Sequence, residues 1–308
     1  MGVKRKAAAA ILVLLLLLGT LWLQGGLDYP WDSCIKGYNQ INQIQQQPNS
    51  SEADASELPP VPTRCPGQTF QVSVLLSHLL AASTPPSDVV LQPYLSSWDE
   101  LVKFMEALGP MVGLISSEIK SKTSIIRQLA LLSDKNPEAE VGADELSVNS
   151  LNTQTGDKRD SGASQQTGAY HSLRSMIRVE VSRGLVDFKR QTESGCRTIL
   201  RLHRALLWLK LFLQKLAEIP PGGRFRSPSE LCREAYQNTL AVHHTWFVRR
   251  AAEMAFIAMP ERSFFFRLVC AQNQEVLSIL LNRVVKAIGV VYDRTQEVLE
   301  ENGMLDLP

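Results

Sequence analysis

The fold is predicted first from residues 193–213, ESGCRTILRLHRALLWLKLFL. Their pattern indicates one long helix with two different faces. Residues three and four positions apart share a helix face, so Arg197, Arg201 and Arg204 form a basic row that leads to Trp208. The apolar surface beside this row is formed by Leu200, Leu207 and Leu211. One helix therefore places guanidinium groups next to apolar side chains.

Two other segments carry side chains of matching chemistry. Glu118 and Lys122 lie four positions apart in SSEIKSK, residues 116–122, and so share a helix face. His244 and Trp246 follow in VHHTW, residues 242–246. An acid, cations, a histidine and a tryptophan around an apolar surface indicate a polar clamp at the mouth of an apolar pocket, which is what a lipid carrier needs.

Composition excludes several function classes. The 308 residues suffice for one large or two ordinary domains, and 44% of them are hydrophobic, which is normal for a globular chain. The 32 basic and 31 acidic side chains nearly cancel, so any anion site must be a local cluster. Only 7% of the residues are aromatic, which argues against base stacking, and we expect no nucleic-acid partner.

The five cysteines include no CxxC pair, so we expect no structural zinc site. We also expect no other metal and no cofactor. Cys196, Cys232 and Cys270 fall in helical patterns and are interpreted as buried thiols. Cys34 and Cys65 lie outside the helical region and would be able to pair if that segment is lumenal.

The N-terminal region indicates membrane targeting. Residues 1–26 place Lys4-Arg5-Lys6 before an apolar run, as in a signal peptide or an uncleaved signal anchor, and both alternatives stay open. Either one predicts membrane association or the secretory pathway, with the basic flank in the cytosol. Residues 27–67 are polar and Pro-rich and are expected to form a disordered stalk.

Residues 68–308 predict an all-α domain without a competing β pattern. The apolar stripe from Leu101 to Ile119 keeps its phase across Gly109-Pro110, which predicts a kink there rather than a helix end. A polar segment, residues 134–168, is interpreted as a disordered insertion. In the helix that follows it, Val181 and Leu185 are expected to face inward.

Each candidate residue also has a purely structural interpretation. Glu118 and Lys122 would then be an exposed ion pair, and the arginines a solvated helix face. Against this, the planar guanidinium fork suits phosphate, and Arg190 lies seven residues before Arg197, close enough to reach the same anion. Arg204 is interpreted as solvated.

The tryptophan and histidine candidates likewise have both a structural and a functional interpretation. Trp208 is interpreted as a core residue, and Trp246 as either core or a membrane-interface anchor. His244 has no Ser, Cys or acid at a triad spacing, so it is a hydrogen-bonding residue rather than the base of an enzyme.

Several longer stretches together resemble the glycolipid-transfer-protein domain family, and more closely its ceramide-1-phosphate transfer branch. They are DVVLQPYLSSWDELVKFMEALG (88–109), ISSEIKSK (115–122), residues 193–213, VHHTWFVRRA (242–251) and the final LDLP. The resemblance implies a two-layer all-helical sandwich without enzymatic activity. One sphingolipid would be held with its chains in an apolar pocket and its headgroup at the surface.

The resemblance also implies residue roles. Glu118 and His244 match the positions that hold the ceramide amide, although the family acid is usually Asp. Lys122 and Arg197 stand where the glycolipid branch has a sugar-binding Asn and Trp, and Arg190 and Arg201 match the remaining phosphate-binding arginines. Trp246 falls at the membrane-touching Trp.

These residues lead to two hypotheses. The first is a monomeric carrier that moves ceramide-1-phosphate between membrane surfaces. The second is a membrane-tethered sphingolipid sensor or adaptor that binds the lipid but does not transfer it. Most family members are cytosolic, so the predicted leader and the family point to different locations.

Overall fold

The structure, a computed structural model, describes residues 64–135 and 168–308. The predicted leader, Cys34, nearly all of the predicted stalk and residues 136–167 of the predicted insertion lie outside the described residues. Asp134 and Lys135 are described, and they belong to a helix.

The described residues form an all-helical fold, as the sequence predicts. The helices are α1 Val72–Ala82, α2 Leu91–Ala107, α3 Pro110–Lys135, α4 Leu173–Ser182, α5 Gly195–Ala217, α6 Pro228–Asn238, α7 Trp246–Ile257, α8 Arg262–Leu268 and α9 Gln274–Glu301, with a short 3-10 helix at Ala241–His243. Over these two stretches, the one β-type pairing recorded is an isolated bridge between Val90 and Ser172. None of these helices is long and apolar enough to cross a membrane.

Local side chains fix where the central helix α5 begins. The Ser194 hydroxyl accepts a hydrogen bond from the Arg197 amide at 3.2 Å, as an N-cap residue does. The Glu180 carboxylate, which is fully buried, accepts from the amides of Gly195 at 2.6 Å and Cys196 at 2.9 Å. A negative group at this end also complements the helix dipole. The start of α5 is therefore set by two residues that precede it in the chain.

The helices enclose one core. In turn, α5 packs against α9, α9 against α1, α1 against α2, α2 against α3 and α3 against α5, so these five helices form a closed circuit of contacts. Aromatic rings join the elements inside it: Phe104 of α2 lies 6.3 Å from Phe265 of α8, and Phe265 lies 6.1 Å from Phe212 of α5. Trp208 is 3% exposed, which confirms its prediction as a core residue.

The predicted kink at Gly109-Pro110 is wrong, because α2 and α3 are separate antiparallel helices. Gly109 has φ +110°, a value outside the helical region that glycine adopts readily. Ion pairs join Glu106 to Lys120 at 2.5 Å and Asp99 to Arg127 at 2.7 Å. The residue numbers rise on one helix as they fall on the other, which only an antiparallel pair allows. The helical spacing of apolar residues continues across the turn because both helices face the same core.

Two further expectations fail for identifiable reasons. Val181 and Leu185 are 48% and 42% exposed, because α4 ends at Ser182 and its core face is completed by Met176 and Ile177. Cys196 and Cys232 are buried, but Cys270 is only partly so, since it lies in the turn between α8 and α9 with φ +56°. Cys65 is buried, and this burial raises the pKa of its thiol to about 12, with the neighbouring Cys270 thiol raising it further.

Candidate functional site

Helix α3 carries a carboxylate and an ammonium group that are paired. Lys122 Nζ lies 2.8 Å from Glu118 Oε1, and the two side chains differ sharply in exposure. The Lys122 side chain is 14% exposed, whereas that of Glu118 is 67% exposed. An exposed i,i+4 pair contributes only a few tenths of a kcal/mol, about 0.3–0.5 kcal/mol. Glu118 therefore keeps free acceptor capacity towards solvent or a ligand.

His244 lies between the 3-10 helix and α7, and its ring is held from one side. Tyr236 of α6 places its hydroxyl oxygen 2.8 Å from His244 Nδ1. Burial lowers the pKa of His244, repulsion from His243 lowers it further, and the Glu118 carboxylate opposes both. His244 is therefore neutral near pH 7, and it interacts electrostatically with the acid on α3.

Arg197 lies in the first turn of α5, and its guanidinium group makes few hydrogen bonds for a partly buried cation. Its Nη1 donates to the Thr192 carbonyl at 3.2 Å. Its Nε and Nη2 are buried and have no hydrogen-bond partner among the described residues. A buried polar atom without a partner is costly, and a site that binds a ligand is a frequent reason for one. The free part of the guanidinium fork is suited to an anion.

The other basic residues of α5 increase the local positive potential. Burial lowers the pKa of Arg197, and repulsion from Arg201 lowers it further against the opposing attraction of Glu193. Burial likewise lowers the pKa of Arg204, with Arg201 adding to the effect and Asp306 opposing it. Arginine nonetheless stays charged at neutral pH, so the row is a concentrated cationic site.

Arg204 corrects the sequence interpretation of a solvated side chain. It is partly buried, and its Nη2 donates to the Leu305 carbonyl at 2.9 Å. It therefore holds the C-terminal segment, in which Met304 and Leu307 are buried, against α5. Arg204 is an anchor for the chain terminus, while Arg201 one turn earlier is exposed.

Arg190 lies in the segment between α4 and α5, beside the same helix end. Its side chain is exposed, and its backbone amide donates to Asp187 Oδ1 at 3.0 Å. Thr192 of this segment contacts Arg197, so the segment folds against the first turn of α5. No ion pair of Arg190, Arg197 or Arg201 with another described residue is present.

An exposed apolar surface lies at the start of α7. Trp246 is 57% exposed and makes a T-shaped contact with Phe247 at 5.0 Å between ring centroids, while Phe247 is 78% exposed. Val242 of the 3-10 helix is 75% exposed, and the Arg250 guanidinium lies 5.6 Å from the Trp246 ring. Trp246 is thus not a core residue. An exposed cluster of this kind, beside cations, is characteristic of an interaction surface.

The predicted residues fall into two groups. One group joins α3 to the start of α7 through Glu118, Lys122 and His244; the other consists of Arg197 and Arg201 on α5 with Arg190 in the preceding segment. Helix α3 packs against both α5 and α7, which brings the two groups to neighbouring elements. Two surface depressions, on the acidic face of α9 and beside α4, are lined by other residues.

The sequence interpretation did not single out three residues that contact the candidate residues or lie beside them: Tyr236, Val242 and Phe247. Tyr236 belongs to the core stripe of α6 by its spacing, and nothing in that spacing distinguishes a core tyrosine from one that supports a histidine. Phe247 and Val242 flank Trp246, and the apolar run WFV at a helix start was the available signal.

Comparison with known proteins shows the family of the chain. The sequence profile described as glycolipid transfer protein (GLTP) matches residues 89–271, more than half of the chain. The chain belongs to the glycolipid transfer protein family. Within this family it is 35% identical to the ceramide-1-phosphate transfer protein of Xenopus laevis over 238 residues, 76% of this chain and 94% of that protein.

Solved structures of glycolipid transfer protein family members agree with the fold. Mouse ceramide-1-phosphate transfer protein in its apo form superimposes with a TM-score of 0.61 at 34% identity, covering 78% of this chain and 100% of that chain. The human ceramide-1-phosphate transfer protein in complex with 2:0 ceramide-1-phosphate gives a TM-score of 0.60 at 33% identity, covering 77% and 98%. The all-helical fold predicted from the sequence is therefore confirmed.

Proposed function

We propose that this protein binds ceramide-1-phosphate, or a closely similar phosphosphingolipid, and transfers it between membranes without chemical change. The observation that carries the proposal is the partly buried guanidinium of Arg197, which has two buried nitrogen atoms without a partner. A phosphate oxygen is the ligand that this fork accepts best.

The cationic group would provide headgroup selectivity. Arg197 and Arg201 lie one turn apart on α5, and their mutual repulsion means that an anion between them is stabilised by both. Lys122, largely buried and paired on one side with Glu118, and Arg190 in the neighbouring segment would complete the cluster. A neutral sugar would leave these charges uncompensated, which disfavours glycolipids.

The amide of the lipid would be bound by the other group. Glu118 has free carboxylate capacity and accepts the amide N–H, while the neutral His244 ring meets the amide carbonyl. An amide carries both a donor and an acceptor, so an acid and a histidine together are complementary to it. A phosphoglyceride with ester linkages has no N–H for Glu118.

The apolar parts of the lipid and of the protein would drive the exchange. Each methylene that leaves water contributes about 0.8 kcal/mol, so two long chains stabilise the complex strongly once they enter the interior beside α5. Trp246 and Phe247 would insert at the membrane interface, where an aromatic ring is favourably placed. Docking by α7 would bring the headgroup residues to the lipid surface.

The proposal is tested by transfer between vesicles. Purified full-length protein is mixed with donor vesicles that contain labelled ceramide-1-phosphate or labelled galactosylceramide, and appearance of label in acceptor vesicles is followed. We expect transfer of the phosphate lipid only. Transfer of galactosylceramide at a similar rate would contradict the headgroup assignment.

A pair of variants identifies the residue responsible. Arg201→Leu is expected to abolish transfer while the far-ultraviolet circular dichroism stays unchanged. The matched control is Arg178→Leu, which removes an exposed arginine from α4 and is expected to transfer at the wild-type rate. Tight binding of ceramide-1-phosphate without any transfer would instead favour the sensor hypothesis.

A further inference from the structure

The ring of His244 is held by a residue that the headgroup assignment leaves without a role. Tyr236 lies in α6 and is 2% exposed, and its ring packs against Phe256 of α7 in a T-shaped contact at 5.3 Å. Helix α6 itself begins with a capping box formed by Ser227 and Glu230. The Tyr236 ring is thus held in place, and its hydroxyl oxygen lies 2.8 Å from His244 Nδ1.

The direction of this hydrogen bond follows from the available partners. Burial raises the pKa of Tyr236, with Arg249 opposing this effect and Glu253 adding to it, so the phenol keeps its proton. Over residues 64–135 and 168–308 the Tyr236 hydroxyl makes no hydrogen bond besides the one to His244. If His244 donated from Nδ1, the phenolic hydrogen would have no acceptor there. The hydroxyl therefore donates, and Nδ1 accepts.

We infer that Tyr236 is a positioning residue that holds His244 in the tautomer with its proton on Nε2, so that the ring donates a hydrogen bond to the amide carbonyl of a bound sphingolipid. The inference rests on the proposed function and deepens it. In a neutral imidazole one nitrogen donates and the other accepts, so fixing Nδ1 as the acceptor fixes Nε2 as the donor.

The tautomer decides which chemical group the site recognises. Glu118 is an acceptor only, and its carboxylate interacts electrostatically with His244. With Nε2 protonated, the pair offers one acceptor and one donor, which match the N–H and C=O of an amide. With the other tautomer both groups would be acceptors, and the carbonyl oxygen would meet a lone pair.

The first experiment reads the tautomer directly in the lipid-free protein. Full-length protein is labelled with ¹⁵N only at its five histidines, and the His244 signals are assigned by their loss in His244→Gln. We expect the Nδ1 signal of His244 far downfield, as for an unprotonated ring nitrogen, and a shift towards the average of both tautomers in Tyr236→Phe. A proton on Nδ1 in the wild type, or an unchanged pattern in Tyr236→Phe, would overturn the inference.

The second experiment separates positioning from a general structural role. Binding of ceramide-1-phosphate, which has an amide carbonyl, is compared with binding of sphingosine-1-phosphate, which has none. Tyr236→Phe is expected to weaken the former about fivefold to tenfold, the loss typical of one hydrogen bond, and to leave the latter unchanged. Equal weakening for both lipids would show that Tyr236 only supports the fold.

The binding comparison also includes a control variant and the wild type. Tyr292→Phe removes a hydroxyl from α9, where the ring stacks on His203 at 4.1 Å, and is expected to bind both lipids as the wild type does. If the wild type binds neither lipid while its His244 carries the proton on Nε2, the proposed function fails and the tautomer assignment stands.

Discussion

A fully buried carboxylate and a partly buried guanidinium lie at the start of α5, and the fold satisfies their hydrogen bonds to very different extents. The Glu180 carboxylate is fully buried and accepts hydrogen bonds from Gly195, from Cys196 and from the Tyr170 hydroxyl at 2.7 Å. The Arg197 guanidinium, two residues into the same helix, leaves Nε and Nη2 without a partner among the described residues. The first group has its hydrogen bonds within the protein, whereas the second keeps two donor atoms unused among the described residues.

The difference separates a structural charge from a binding charge. A buried charge is tolerated when its hydrogen bonds are made inside the fold, and its removal then costs stability. A charge that keeps unused donors lowers stability until a ligand arrives, and its removal costs binding instead. Three variants and one measurement of stability against pH test this difference.

The largest effect is expected at Glu180. Glu180→Gln keeps the shape but turns one acceptor into a donor that faces backbone amides, so unfolding in urea should require about 4 kcal/mol less free energy. The control is Glu118→Gln, which changes the exposed carboxylate of α3 and should alter stability by less than about 0.5 kcal/mol. Similar midpoints of urea unfolding for Glu180→Gln and Glu118→Gln would show that the buried carboxylate contributes no more to stability than the exposed one.

The next effect concerns His203, a buried group on α5 that is only partly satisfied. Its Nε2 lies 2.7 Å from Gln296 Oε1, its Nδ1 has no partner among the described residues, and burial lowers its pKa to about 4. The unfolded chain, with a histidine pKa near 6.5, binds more protons between these values.

The stability that His203 contributes is therefore complete above pH 6.5 and lost as the pH falls towards 4. The loss at pH 4 should reach about 3 kcal/mol. The control is His203→Gln, measured by urea unfolding at pH 7.5 and pH 4.5, because the other titrating groups stay in place. An identical acid loss in the variant and the wild type would assign the titration to those groups.

The smallest effect is expected at the exposed surface of α7. Trp246→Ala should weaken binding to anionic vesicles about tenfold, measured by co-sedimentation, because the ring is 57% exposed and free to insert. Its thermal unfolding should be unchanged. Leu80→Ala, which changes a 63% exposed residue on α1, should bind vesicles as the wild type does; an equal loss there would mean that vesicle binding is not localised.

The sequence predicted an all-helical fold because apolar residues recur at helical spacing. In α9 the apolar residues at this spacing are all buried: Leu277, Leu280, Leu281, Val284, Ile288, Val291 and Val298. The same periodicity gave the wrong answer at Gly109, because two antiparallel helices that face one core repeat the apolar phase of a single continuous helix. Ion pairs such as Glu106 with Lys120 show that the chain turns here. They depend on distances in the folded structure, which the spacing of residues in the sequence does not give.

Sequence spacing indicated which candidate residues share a helix face, but it could not show which hydrogen bonds each of them makes in the fold. Spacing alone placed Arg197, Arg201 and Arg204 on one face and could not show that Arg204 binds the Leu305 carbonyl while Arg197 keeps unused donors. The contact of Tyr236 with His244 was not predicted for the same reason, since the spacing of a core stripe does not show where a hydroxyl points.

The most direct test of the comparison is a double measurement on Arg197→Leu, in which vesicle transfer of ceramide-1-phosphate and urea unfolding are both recorded. We expect transfer to fall about 100-fold. The free energy of unfolding should stay within about 1 kcal/mol of the wild type or rise, because an incompletely paired cation has been removed. Unchanged transfer together with a loss of several kcal/mol of stability would show that Arg197, like Glu180, is a structural charge.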